Sequence, residues 1–169
     1  ISIYLFVVLC TISIVFANLP MAYADTNSYD FGLKSYEYAR EFVNENSDRK
    51  AAADTVDNNA SEYLYNFAKL YTNQCYIDEF IHAEDLEHTT LTTGRNVYVE
   101  IGDMSENVIL IMSHYDNYYV DEADKNEGFY NATSIGLTMS FVEYFSANIP
   151  SDYGVFIAFT STHNTGRFS

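Results

Sequence analysis

His114 and Asp116 stand one residue apart where the apolar run Val108-Ile109-Leu110-Ile111-Met112-Ser113 ends. In an extended strand, residues two apart project to the same side, so an imidazole and a carboxylate come together at that end. Such a pair suits two kinds of chemistry. The carboxylate can orient a histidine that acts as a general base, or it can fix the ring of a metal-bound histidine. Taken alone, His-x-Asp also describes a surface histidine beside a loop carboxylate. The other histidines carry less. His82 and His88, in His-Ala-Glu-Asp-Leu-Glu-His, are six apart without a His-Glu-x-x-His helix pattern and read as loop residues. The acidic stretch 121–128 lacks the alternating carboxylates of a calcium loop.

The elements that must position the pair follow from periodicity. Val108–Ser113 is apolar on both faces, which predicts a central strand covered on both sides. Residues 96–102 alternate, with Val97, Val99 and Ile101 opposed to Tyr98 and Glu100, as in a half-exposed strand. Asn131 to Ser134 offer capping side chains to a helix whose broad apolar face includes Ile135, Met139 and Val142. Pro150 to Asp152 stop that helix, and residues 153–160 form a second doubly buried strand. Strand, helix, strand implies a right-handed crossover and a parallel pair. The fold class is α/β, with His114 and Asp116 at a strand's carboxyl end, where open sheets place their sites. Upstream, residues 35–47 space Ala39, Phe42 and Val43 as a short helix, after a disordered junction at 25–34. Asn59 and Glu62 read as a capping box, and Leu64, Phe67, Ala68 and Tyr71 follow at helical spacing. Residues 75–81 suggest a strand and 84–94 a loop.

Residues 4–19 form an uncharged apolar run, followed by Ala22-Tyr23-Ala24, the small-x-small pattern of a cleavage site. The competing reading is an anchor, because the run is only slightly short of the roughly 20 residues a bilayer needs. The expectation is a signal peptide at 1–24 and a secreted or extracytoplasmic protein with no membrane contact after cleavage. Cys10 lies inside the apolar run, which argues against a lipid-modified cysteine, and Cys75 is the only later cysteine, so no internal disulfide follows. The formal net charge of −16 belongs to residues 25–169 and repels nucleic acid and anionic lipid. The predicted organisation is the leader, an N-terminal segment with a short helix at 25–54, and one α/β domain at 55–169.

Four segments in order, Gly-Arg-Asn-Val-Tyr-Val-Glu-Ile-Gly-Asp (94–103), 108–119, 128–145 and 153–169, resemble the zinc aminopeptidase family that also contains glutamate carboxypeptidase and glutaminyl cyclase. The family pattern is Gly-Arg-Asn-Val, then His-x-Asp, then an Asn-Ala-Ser helix start, then a strand closing in two glutamates. The resemblance spans residues 55–169 and implies a three-layer α/β/α fold with a mixed, largely parallel sheet, incomplete at the carboxyl end. It implies zinc as cofactor, His114 as a metal ligand and Asp116 as the carboxylate that orients it. The remaining family positions are replaced. The aspartate that bridges two zinc ions falls on Phe129, and the two glutamates fall on His163, at the general-base position, and Asn164. The later ligands fall beyond Ser169.

A benzyl side chain offers no ligand atom, and a carboxamide does not neutralise a divalent cation. The resemblance therefore implies a metallopeptidase-like pseudoenzyme whose zinc is weak, single-site or absent. An interaction role has a family precedent in the transferrin receptor, with a peptide or protein as partner. Rescue would need Asp121, Asp124 or Glu127 to turn inward, or one metal shared by His114 and His163. Two alternatives stand beside this reading: a working zinc aminopeptidase with ligands outside this sequence, and an acidic exported binding module without peptidase ancestry. Because more strands follow in the family, one flank of the sheet is expected to be an exposed apolar edge open to self-association.

Overall fold

The computed structural model describes residues 28–46, 56–83, 91–105, 107–116 and 131–161. Two helices come first. Helix α1 spans Phe31–Glu45 and is started by Asp30, whose side chain accepts from the Leu33 amide at 2.9 Å. It therefore begins inside the stretch expected to be a junction. Helix α2 spans Val56–Lys69, so Asn59 lies within it and the expected capping box is not its start. What specifies α2 is its stripe: Ala60, Leu64, Phe67 and Ala68 are all buried, at the spacing of one helical face.

Four strands follow: β1 (Cys75–Ala83), β2 (Leu91–Gly102), β3 (Val108–His114) and β4 (Gly154–Thr160), with helix α3 (Ala132–Ala147) between the last two. They form an open sheet in the order β1-β2-β4-β3. The β3–β4 pair is parallel, as the crossover rule requires, but β1–β2 and β2–β4 are antiparallel. Among the described residues the sheet is thus largely antiparallel, which reverses the expected balance. Residues 91–94, expected in a loop, extend β2 and pair with 80–83 of β1, which puts the backbone of His82 in a strand rather than a loop.

The helices share one side of the sheet. Val97, Val99 and Ile101 of β2 stand opposite Phe159, Ile157 and Val155 of β4, and these six are buried against Leu64 and Phe67 of α2 and Ile135, Met139 and Val142 of α3. Helix α1 lies on α3 and reaches α2, where Phe42 meets Tyr63 and Tyr38 meets Phe67 edge-on. The three layers are therefore sheet, α2 with α3, and α1. The expected α/β/α order is not seen, because the second face of the sheet carries no helix among the described residues. Tyr76, Tyr98 and Phe156 line that face instead, with ring centroids 5.4 and 5.3 Å apart.

β3 is also not the central strand that its composition predicts. Among the described residues β4 occupies the interior position, and β3 lies at an edge. The apolar run marks a strand suited to cover on both faces; it does not itself supply the cover.

The α1–α3 contact depends on small residues. A Cβ added at Gly136 would come within 2.7 Å of the Ala39 backbone nitrogen, and the hydroxyls of Ser35 and Ser140 are 3.3 Å apart and buried. Glu143 closes the contact by accepting from the Tyr29 hydroxyl at 2.6 Å and the Tyr38 hydroxyl at 2.7 Å. Burial, and then the bond to Glu143, pushes the Tyr29 phenol well above its ordinary value. Burial, then the bonds to Tyr71 and Glu143, does the same to Tyr38.

Two outcomes are expected. Gly136→Ala should destabilise the chain by about 1–3 kcal/mol, through overpacking, in urea titration. Because both folded phenol pKa values are raised, the unfolded chain releases these protons first. The stability these phenols contribute is then complete below about pH 10 and falls as pH rises above it. Tyr38→Phe should remove part of that alkaline loss in melts recorded between about pH 9 and 12.

Candidate functional site

His114 is the last residue of β3 and lies in register with Thr160 on β4. The next residue is tied down twice: the Tyr115 amide donates to the Thr160 carbonyl at 2.9 Å, and its hydroxyl donates to the Arg95 carbonyl at 2.6 Å. Tyr115 is fully buried in the core, and Ser113 donates to Ser134 at the start of α3. Since Ser113 and Tyr115 face the helices, His114 falls on the opposite side of the strand.

Asp116 is fully buried, and its Oδ1 lies 3.3 Å from His114 Nδ1. The pairing expected from the sequence is thus present. With Nδ1–H donating to the carboxylate, the ring is oriented and Nε2 is the atom that would meet a metal or a substrate proton.

Asn131 precedes α3 with φ 58°, the left-handed region. Its side chain makes no capping bond to the helix, contrary to the sequence expectation. It turns back instead, and its amide Nδ2 donates to the His114 carbonyl, while Ser134 Oγ donates to the Asn131 carboxamide oxygen. Asn131 therefore locks the site strand to the helix that follows it.

Arg95 and Asn96, in the Gly-Arg-Asn-Val segment, hold structural roles that their spacing does not reveal. Arg95 Nε donates to Glu79 of β1 and Nη1 to Glu62 of α2, each at 3.0 Å. The Arg95 amide donates to Ser161 Oγ, and the Ser161 amide donates to Asn96 Oδ1, both at 3.0 Å. These two residues fasten the carboxyl ends of β3 and β4 together. A cation followed by a buried amide at the entry to an alternating strand was the available signal.

Phe129, His163 and Asn164 lie outside the described residues, as do Asp121, Asp124, Glu127 and His88. Among the described residues no group of three or more His, Cys, Asp or Glu side chains is placed to hold a metal ion. A zinc site takes at least three protein ligands, and here His114 supplies one while Asp116 is turned to its ring. The described donor set does not by itself fit zinc.

No protein-family profile and no curated protein matches the chain. Its fold is that of glutaminyl cyclases and zinc-dependent exopeptidases. It is similar to a glutaminyl cyclase from an Acidobacteriales bacterium, at TM-score 0.61 and 19% identity, over 80% of this chain and 46% of that one. It is similar to a leucine aminopeptidase precursor from Bacteroides thetaiotaomicron, at TM-score 0.61 and 16% identity, over 80% and 48%. A putative zinc-dependent exopeptidase from Bacteroides vulgatus gives TM-score 0.60 and 18% identity, over 78% and 47%. The chain thus spans about half the length of these structures.

The Asn131 lock separates two effects by substitution. Asn131→Gly loses the amide bonds but keeps a residue at ease with positive φ, and should cost about 1 kcal/mol. Asn131→Ala adds left-handed strain and should cost roughly 1–2 kcal/mol more, with both changes measured by urea unfolding.

Proposed function

We propose that this chain is an exported, metallopeptidase-like domain with impaired catalysis, acting by binding a peptide or protein. The observation that carries the reading is the buried Asp116 held against His114 at the end of β3, in a fold shared with zinc exopeptidases. That pair keeps a histidine oriented as a metal ligand needs it. The sequence places Phe129, His163 and Asn164 where the resembled family has its bridging aspartate and two glutamates. Two zinc ions carry four positive charges, and a benzyl ring, an imidazole and a carboxamide do not compensate them. A general base contributes about 10²–10⁴-fold, but only with an activated water to act on.

The uncharged run at 4–19 with its Ala-x-Ala site supports export, and the net charge of −16 argues against nucleic acid. Among the described residues no helix is long and apolar enough to cross a membrane.

A second reading is favoured by one observation: the chain covers less than half of the structures it matches. Under it, the chain is part of a working exopeptidase whose other ligands lie in further sequence. Metal analysis after dialysis, with hydrolysis of amino-acyl amides, decides between the two. The chain should retain less than one zinc and release no amino acid. Two retained zinc ions with turnover would overturn the impaired reading. Turnover restored only by flanking sequence of the gene would favour the second.

A further inference from the structure

The end of the sheet away from His114 is closed by short connections: residues 70–74 lead from α2 to β1, and 148–153 from α3 to β4. Between them and the last residues of β2 lies a cleft of about 60 Å³, with Tyr71, Ile101, Ser146 and Ile149 among its walls. β4 begins here, where Gly154 pairs with Gly102, and ends at the far side of the sheet beside His114. The walls of the cleft are thus formed by described residues, at the opposite end from where the chain continues past β4.

Two observations give this cleft an occupant. The first is Ser146 of α3, whose hydroxyl is buried yet bonds to no described residue. Leaving a buried hydroxyl unpaired is costly, so such groups are met by protein or by ordered water. The second is the direction of the phenol chain beside it. Tyr38 has one hydroxyl proton and gives it to Glu143 at 2.7 Å. In its 3.0 Å contact with the Tyr71 hydroxyl it can therefore only accept. The Tyr71 proton is then committed to Tyr38, and the Tyr71 oxygen keeps lone pairs for a further donor. Ser146 lies three residues beyond Glu143 on α3, on the same flank as this chain. The two hydroxyls share one cleft without bonding each other.

The size of the cleft selects the ligand. It exceeds the roughly 10–15 Å³ that one water needs, and it falls far below the roughly 300 Å³ of a small-molecule pocket. We propose that the cleft is a water site, in which an ordered water donates to the Tyr71 oxygen and bonds the Ser146 hydroxyl. The hydrogen-bonded chain then runs from Glu143 through Tyr38, Tyr71 and the water back to α3 at Ser146. It ties the residues that follow α2 to the last turn of α3, and it is independent of the metallopeptidase-like reading.

A high-resolution crystal structure of the full chain tests this directly. The expected result is a water within about 2.6–3.2 Å of both Ser146 Oγ and the Tyr71 hydroxyl oxygen. No water there, a water that meets only one of the two, or a Ser146 hydroxyl bonded to protein overturns the proposal. A double-mutant cycle read by urea unfolding supplies a second measurement. Ser146→Ala should lower the midpoint by more in the parent chain than in Tyr71→Phe, because without the phenol oxygen the water has already lost its acceptor. The change in helix propensity is the same in both backgrounds and cancels. Tyr38→Phe breaks the phenol pair but leaves the Tyr71 hydroxyl in place, and should keep the full Ser146→Ala effect. Equal effects in the parent and Tyr71→Phe chains overturn the proposal, and so does loss of the effect in Tyr38→Phe.

Discussion

The antiparallel pairing of β2 with β4 is the constraint on which the rest of the molecule depends. It sets Val97 against Phe159, Val99 against Ile157 and Ile101 against Val155, six side chains buried on one face. Burying each contributes about 1.5–3 kcal/mol relative to exposure. That apolar strip is what α2 and α3 rest on, and α1 then rests on them. A slip of one residue between β2 and β4 would turn either Tyr98 and Glu100 of β2 or Phe156 of β4 to the helices, so the register is strongly specified.

The same pairing positions the candidate site. It brings Asn96 and Arg95, at the start of the paired stretch of β2, beside Ser161 at the end of β4. Tyr115 then crosses to the Arg95 carbonyl, so the segment holding Asp116 is anchored to the core rather than left as a free strand end. Asn131 adds the tie from the other side. The His114–Asp116 pair is the product of three separate attachments, none made by the histidine ring itself.

The sequence made some of this legible and not the rest, for physical reasons. Alternation in Val97, Val99 and Ile101 and the stripe Leu64, Phe67, Ala68 report burial directly, because the periods of strand and helix differ. His114 and Asp116 were legible because spacing of two in a strand fixes their side. The place of β3 in the sheet was not legible, since an apolar run specifies a need for cover and says nothing of strand order. The antiparallel β1 was obscured because Thr92, Thr93 and Gly94 look like turn residues until a partner strand is given. Asn131 was misassigned because the residue types that cap helices also bond backwards to a preceding strand.

The contact between α1 and α3 joins residues far apart in the chain: Ser35 and Ser140 are separated by 105 positions. Among the described elements α1 is synthesised first, and the helix against which it packs is made only after β1, β2 and β3. Until then α1 has only α2 to pack on, where Phe42 meets Tyr63. Among the described elements, the first helix therefore completes its packing only after three strands have been made.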